Sequence, residues 1–152
     1  MKLDLKEVAE YAKGCSQETK IYIGVDSERV LVGNTWYVDF LIAVIVHIDG
    51  NHGAKVFGGT HRERDYDKSL RQPRLRLITE VYKAAEVYLE LSELVTQDIS
   101  VHLDLNPNEL FGSSCVIGEA IGYIKGVCGI TPKVKPEAWA ASIAADRIKS
   151  IV

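Results

Sequence analysis

"IYIGVDSERV" (residues 21–30) runs from an unbroken aliphatic stretch straight into a carboxylate and a hydroxyl, Asp26 and Ser27. Side chains alternate along a strand, so Ile21, Ile23 and Val25 share one face while Tyr22, Gly24 and Asp26 share the other. A second stretch, "ISVHLDLNP" (99–107), repeats the arrangement. There Val101, Leu103 and Leu105 face one way, and His102, Asp104 and Asn106 the other. Both aspartates read as the C-terminal ends of strands, off the aliphatic set. If the two strands are parallel neighbours, the carboxylates come close together, which is electrostatically costly unless a cation or proton sits between them. Paired carboxylate oxygens are hard ligands suited to Mg²⁺ or Mn²⁺.

Working outward, "DLKEVAEYAK" (4–13) carries Leu5, Val8, Ala9 and Ala12 at helical spacing and is stopped by Gly14. Three strand-like segments follow, 20–32, 35–48 and 54–59, separated by "GN" and "DGNHG". They read as an antiparallel meander of two hairpins. Pro73 can open a long helix in which Leu77, Ile78, Val81, Tyr82, Ala85, Tyr88 and Leu89 form one broad apolar face to about Val95. "ISVHLDL" is a fourth strand. Residues 113–129 form a helix whose Gly118, Ala120 and Gly122 would permit close backbone approach. "TPKVKP" (131–136) reads as a short edge strand, and "EAWAASIAADRIKSIV" as a closing helix. The strands after the long helix need crossover connections and should pair in parallel beside the first. The expectation is an α/β fold: a mixed five-stranded sheet of order 3-2-1-4-5, with helices on both faces. A single domain over 1–152 is expected, 1–19 being a helical lead-in and 20–152 the core.

Composition bounds what such a fold can do. Of 152 residues, 47 % are hydrophobic and 26 % charged, as in ordinary globular chains. The N-terminus lacks the continuous apolar region of a signal peptide. The longest apolar run, 40–48, is about half the length that spans a bilayer. Three cysteines without CxxC spacing suggest reduced thiols, so a cytoplasmic protein is expected. The net charge of −3 argues against a constitutive, sequence-blind coat for nucleic acid, but residues 61–76 hold six Lys and Arg against three acids. That basic stretch on an acidic body points to a phosphate-bearing partner, with Arg62, Arg64, Arg71 and Arg74 as contacts.

Two further acids stand where they could join the aspartate pair. Asp146 interrupts a small, apolar helical stripe with Trp139, Ser142 and Ile143. Glu80 falls at the edge of the long helix's apolar face. His102 is in phase with Asp104 and reads as a core histidine. The glycine pair in "VFGGTHRER" lacks the GK[ST] context of a phosphate loop and reads as a turn.

Meander, long helix, strand and closing helix, with acids at "GVDS", "TEV", "HLDLNP" and "AADR", resemble the ribonuclease H-like superfamily, and more closely the YkuK-like family of predicted nucleases. The likeness runs from about residue 20 to 150. It implies a carboxylate site in which Asp26, Glu80, Asp104 and Asp146 hold two Mg²⁺ or Mn²⁺ ions and hydrolyse phosphodiester bonds in nucleic acid. The alternative within the same fold is a non-catalytic module that binds nucleic acid or a protein partner, which the acidic net charge favours.

Overall fold

The structure is a computed structural model that describes residues 2–50, 52–66, 74–108 and 116–139, together with 142 and 146. Helix α1 (Leu5–Lys13) opens on Asp4, whose carboxylate accepts the backbone N–H groups of Lys6 and Glu7 at 3.0 and 3.4 Å. Such capping satisfies donors that the first turn leaves unpaired. Strands β1 (Lys20–Val32) and β2 (Thr35–His47) form a long antiparallel hairpin, registered from Lys20 opposite His47 to Val32 opposite Thr35. Its tight turn places Gly33 at φ 61°, a conformation in which other side chains are strained.

Strand β3 (Ala54–Arg64) pairs antiparallel with β2 and runs five residues past the expected end at 59. The "GG" is therefore strand, not turn. Gly59 is there because the N-terminal segment crosses it: a Cβ would come within 2.5 Å of the Leu3 nitrogen. The first residues of the basic stretch, His61 to Arg64, are strand as well. They alternate across the sheet and pair with Tyr37–Phe40.

Helix α2 (Arg74–Ser92) crosses over to β4 (Ile99–Leu103), which pairs in parallel with β1 from Ile21 opposite Ile99 to Val25 opposite Leu103. Helix α3 (Ile117–Cys128) follows and packs on α2. Its contact row is Val116, Ala120 and Ile124, all fully buried, while Gly118 and Gly122 face open space and mediate no close approach.

The sheet has four strands, β3-β2-β1-β4, rather than five. Residues 131–136 contribute one parallel bridge, His102 with Lys133, and a further bond from the Lys135 N–H to the Leu105 carbonyl at 2.9 Å. Pro132 and Pro136 flank this segment and have no N–H to donate, so the ladder cannot extend. The first four strands keep the expected order, and the expected fifth is reduced to these contacts at the β4 edge.

Helices α1, α2 and α3 share one sheet face, enclosing Ile21, Ile23, Val25, Val44, Val46, Val101 and Leu103 with Leu77, Val81 and Leu91. On the opposite face Leu41, Ala43 and Ile45 form a smaller apolar cluster with Tyr22 and Val56. Trp139 packs there against Tyr22 at a ring separation of 4.7 Å. Trp139, Ser142 and Asp146 are helical, and the remainder of the expected closing helix lies outside the described residues. Among the described residues no helix is long and apolar enough to cross a membrane.

Candidate functional site

The site is created by a difference in strand length. The last β1–β4 pair is Val25 with Leu103, and β1 then continues in its hairpin to Val32 while β4 stops. Asp26 is thus mid-strand, contrary to the expected strand end, but it is the first β1 residue beyond the parallel ladder. Asp104 is the first residue after β4. The two stand level on the face opposite the helices.

The next β1 residue, Ser27, points the other way, towards α2, and is buried. Its hydroxyl donates a short hydrogen bond to the Glu80 carboxylate. Arg76 Nη1 donates to the Ser27 hydroxyl at 2.8 Å and to its carbonyl at 3.3 Å, and stands 3.9 Å from Glu80 one helical turn on. Glu80 is not at the edge of the apolar face. It is 3 % exposed and heads the buried row of Ala84, Val87 and Leu91.

Burial pushes the Glu80 carboxyl well above its ordinary range of about 4.5, and the charges of Asp26 and Asp104 push it further. The Ser27 hydrogen bond and Arg76 oppose that shift without cancelling it. Three carboxyl groups from β1, α2 and the end of β4 therefore share one electrostatic neighbourhood. On the far side Lys135 Nζ lies 2.8 Å from Asp104 Oδ1. The two form an ion pair. The bond to Asp104 raises the Lys135 pKa, and Asp26 and Glu80 add to the attraction.

Carboxylate oxygens are hard ligands suited to divalent cations, and the three carboxyl groups, from β1, α2 and the end of β4, are near enough for Asp26 and Asp104 to act on the charge of Glu80. Among the described residues, however, no three acidic, imidazole or thiol groups are already arranged as a ligand set. Asp146 is exposed on its helix, and no described contact joins it to the other three acids.

Of the expected phosphate contacts, Arg62 lies on β3, holds Asp39 through two bonds of 2.6 and 2.9 Å, and sits 5.8 Å over the Tyr37 ring. Arg64 covers Tyr66 at 5.5 Å. Both arginines share the sheet face of Asp26, because strand partners face alike and Thr60, Leu41 and Asp26 are paired across β3, β2 and β1. Arg74 reaches away, to Glu119 on α3 at 2.5 Å. Arg71 lies outside the described residues. His102 is 2 % exposed against Tyr22 and Trp139, and burial lowers its pKa from 6.5 to about 4, so it is a neutral core residue.

The sequence draws attention to Ser27 without giving it a role, and nothing in it singles out Arg76 or Lys135. Each has a signal in hindsight: Ser27 has the opposite strand parity to Asp26, Arg76 is four residues before Glu80, and Lys135 lies between two prolines.

A family model described as Ribonuclease H-like matches residues 5–150, and the chain belongs to that family. Comparison with curated proteins and with solved structures returned no match.

Proposed function

We propose that this chain is a metal-dependent nuclease that hydrolyses phosphodiester bonds in nucleic acid. The observation that carries the reading is Glu80, a carboxyl buried beside Asp26 and Asp104 with its pKa driven upward by burial and by their charges. A buried carboxyl whose charge is disfavoured by its own neighbours is the kind of group that a bound cation would stabilise. Asp26, Glu80 and Asp104 would hold two Mg²⁺ or Mn²⁺ ions, with Asp146 as the fourth acid that the family resemblance implies. The chemistry supplied by such ions is activation of water and neutralisation of charge on the leaving oxygen. Ser27 and Arg76 orient the Glu80 carboxylate, and Lys135 steadies Asp104. Arg62 and Arg64 would guide the phosphate backbone along the face that carries Asp26, and a cytoplasmic setting with free thiols suits this chemistry.

The test is cleavage of labelled RNA, DNA, hybrid and junction substrates in Mg²⁺, Mn²⁺ or EDTA, alongside Asp26→Asn and Asp104→Asn. Metal-dependent cleavage abolished by both changes supports the assignment. Activity surviving at the wild-type level in either variant refutes it.

A second reading, a non-catalytic nucleic-acid-binding module, is favoured by one observation: a lysine already occupies the cation position at Asp104. It is separated by titrating Mn²⁺ against thermal unfolding. A module without a site shows no shift that depends on Asp26 or Asp104.

A further inference from the structure

Beside the carboxylates is a cavity of about 390 Å³ that the reaction as proposed leaves unused. Its walls include Trp139, Asn106, Asn108, Lys135, Pro136 and Ser142. We propose that this cavity is a subsite for one unpaired nucleotide, with the base against Trp139 and the phosphate towards Lys135. Its placement next to the scissile bond rests on the nuclease reading.

Four features carry the assignment. The volume is at the small end of ligand sites, enough for one nucleotide and too small for a base pair. Trp139 is pinned from behind by Tyr22 at 4.7 Å and by His102 edge-on at 5.3 Å, yet remains 39 % exposed. A rigid, half-open indole is a stacking platform whose order is already established before a base arrives. Carboxamides at Asn106 and Asn108 can meet the donor and acceptor edge of a base. The Asn108 N–H, bonded to Asn106 Oδ1 at 2.9 Å, fixes the first of them in place. Finally, Lys135 lines the cavity and also contacts Asp104, so the cavity and the carboxylates share one residue. An ammonium at that boundary suits the phosphate linking a bound nucleotide to its neighbour.

A base inside a duplex is covered on both faces by stacking and cannot reach such a platform without leaving the helix. The proposal therefore selects a single strand, a loop or a frayed end.

The experiment is done in EDTA, where no cleavage occurs. Trp36→Phe leaves Trp139 as the sole tryptophan of the two in the chain, and its fluorescence is followed as ribo- and deoxyribo-pentanucleotides are added. Quenching by either strand is expected. Anisotropy of a labelled pentamer should show at least about fivefold weaker binding by Trp139→Ala, the lower end of what one stacked base contributes. Asn106→Ala and Lys135→Met should each weaken it too, and these two decide the matter if Trp139→Ala fails to fold. Wild-type affinity in these variants, or equal quenching by inorganic phosphate alone, overturns the proposal. Wild-type cleavage in Mn²⁺ is measured in parallel. Trp139-dependent binding without cleavage removes the nuclease reading and keeps the subsite, and cleavage without such binding does the reverse.

Discussion

Replacing Glu80 by Gln removes a titratable group and changes almost nothing else. The side chain keeps its volume, and its carbonyl can still accept the Ser27 hydroxyl that holds Glu80 now. In the metal-free protein the carboxyl is buried and its pKa lies well above 4.5. The native state therefore keeps a proton that the unfolded chain releases as pH rises past that value. Wherever the unfolded state binds fewer protons than the native state, stability falls with rising pH. The contribution is complete below about 4.5 and is lost as pH climbs towards the raised native value. One proton corresponds to a loss of at most about 1.4 kcal/mol for each pH unit inside that window. Glu80→Gln has no such slope.

Denaturant melts in EDTA at a series of pH values measure this directly, and subtracting the two proteins removes every titration they share. Near pH 4 the two should be level. Above it Glu80→Gln should become progressively the more stable. Millimolar Mn²⁺ should invert the order, because an ion at a hundred times its dissociation constant adds about 2.7 kcal/mol to the protein that binds it. If Glu80 were instead a structural partner of Arg76, losing that charged contact would cost the variant about 1.5–3 kcal/mol at neutral pH. A variant less stable than wild type in EDTA at pH 8, or curves that run parallel, would refute the reasoning.

Other expectations follow from the same neighbourhood. His102 is held neutral with a pKa lowered from 6.5 to about 4, so its contribution is present above 6.5 and is lost as pH falls through about 4. His102→Phe should remove about 2 kcal/mol of that acid sensitivity, after allowance for solvent reach, as read from melts at pH 7 and pH 4. Lys135→Met should destabilise the metal-free protein by about 1 kcal/mol through unrelieved repulsion at Asp104, and Mn²⁺ should restore it; an unchanged melting point in EDTA would show the ion pair to be inert. Arg64→Ala should lower the salt slope of nucleic-acid binding by about one unit, and Arg62→Ala by less, because Asp39 already offsets the Arg62 charge. Equal slopes for all three proteins would mean that this face does not meet the phosphate backbone.

What could be read beforehand, and what could not, divides along physical lines. Strand β1 and the β1–β2 turn were legible because alternation and a Gly-Asn pair act locally. The end of β3 was misplaced because Thr60 to Arg64 is polar by composition, and only its pairing with β2 makes it strand. Glu80 falls at the edge of its helix's apolar face when that face is defined by the row Leu77, Val81, Tyr88. The spacing 80, 84, 87, 91 is equally helical and is the row that becomes buried. The fifth strand failed for a reason visible in its own letters, two prolines around three residues. Lys135 belonged to no pattern at all, since its meeting with Asp104 depends on the His102–Lys133 bridge that brings the segment alongside β4.

The unequal lengths of β1 and β4 also explain how an acidic cluster is accommodated here without weakening the core. Carboxylates placed within the parallel ladder would have pointed into covered sheet. Placed one step past Leu103, Asp26 lies where β1 has lost one neighbour and keeps the other, so its backbone is fixed by Leu41 on β2 while its β4 side is left for Asp104. The six residues of β1 beyond Asp26 extend the same hairpin, and β3 brings Arg62 and Arg64 alongside it on the Asp26 face. One overhang thus supplies both the rigid support for an acidic cluster and a flanking surface with cations on it. That link is testable as a unit: an extra β4-like pairing at residues 104–106 would cover the cluster, whereas shortening the hairpin beyond Asp26 would leave the acids in place and remove the surface that leads to them.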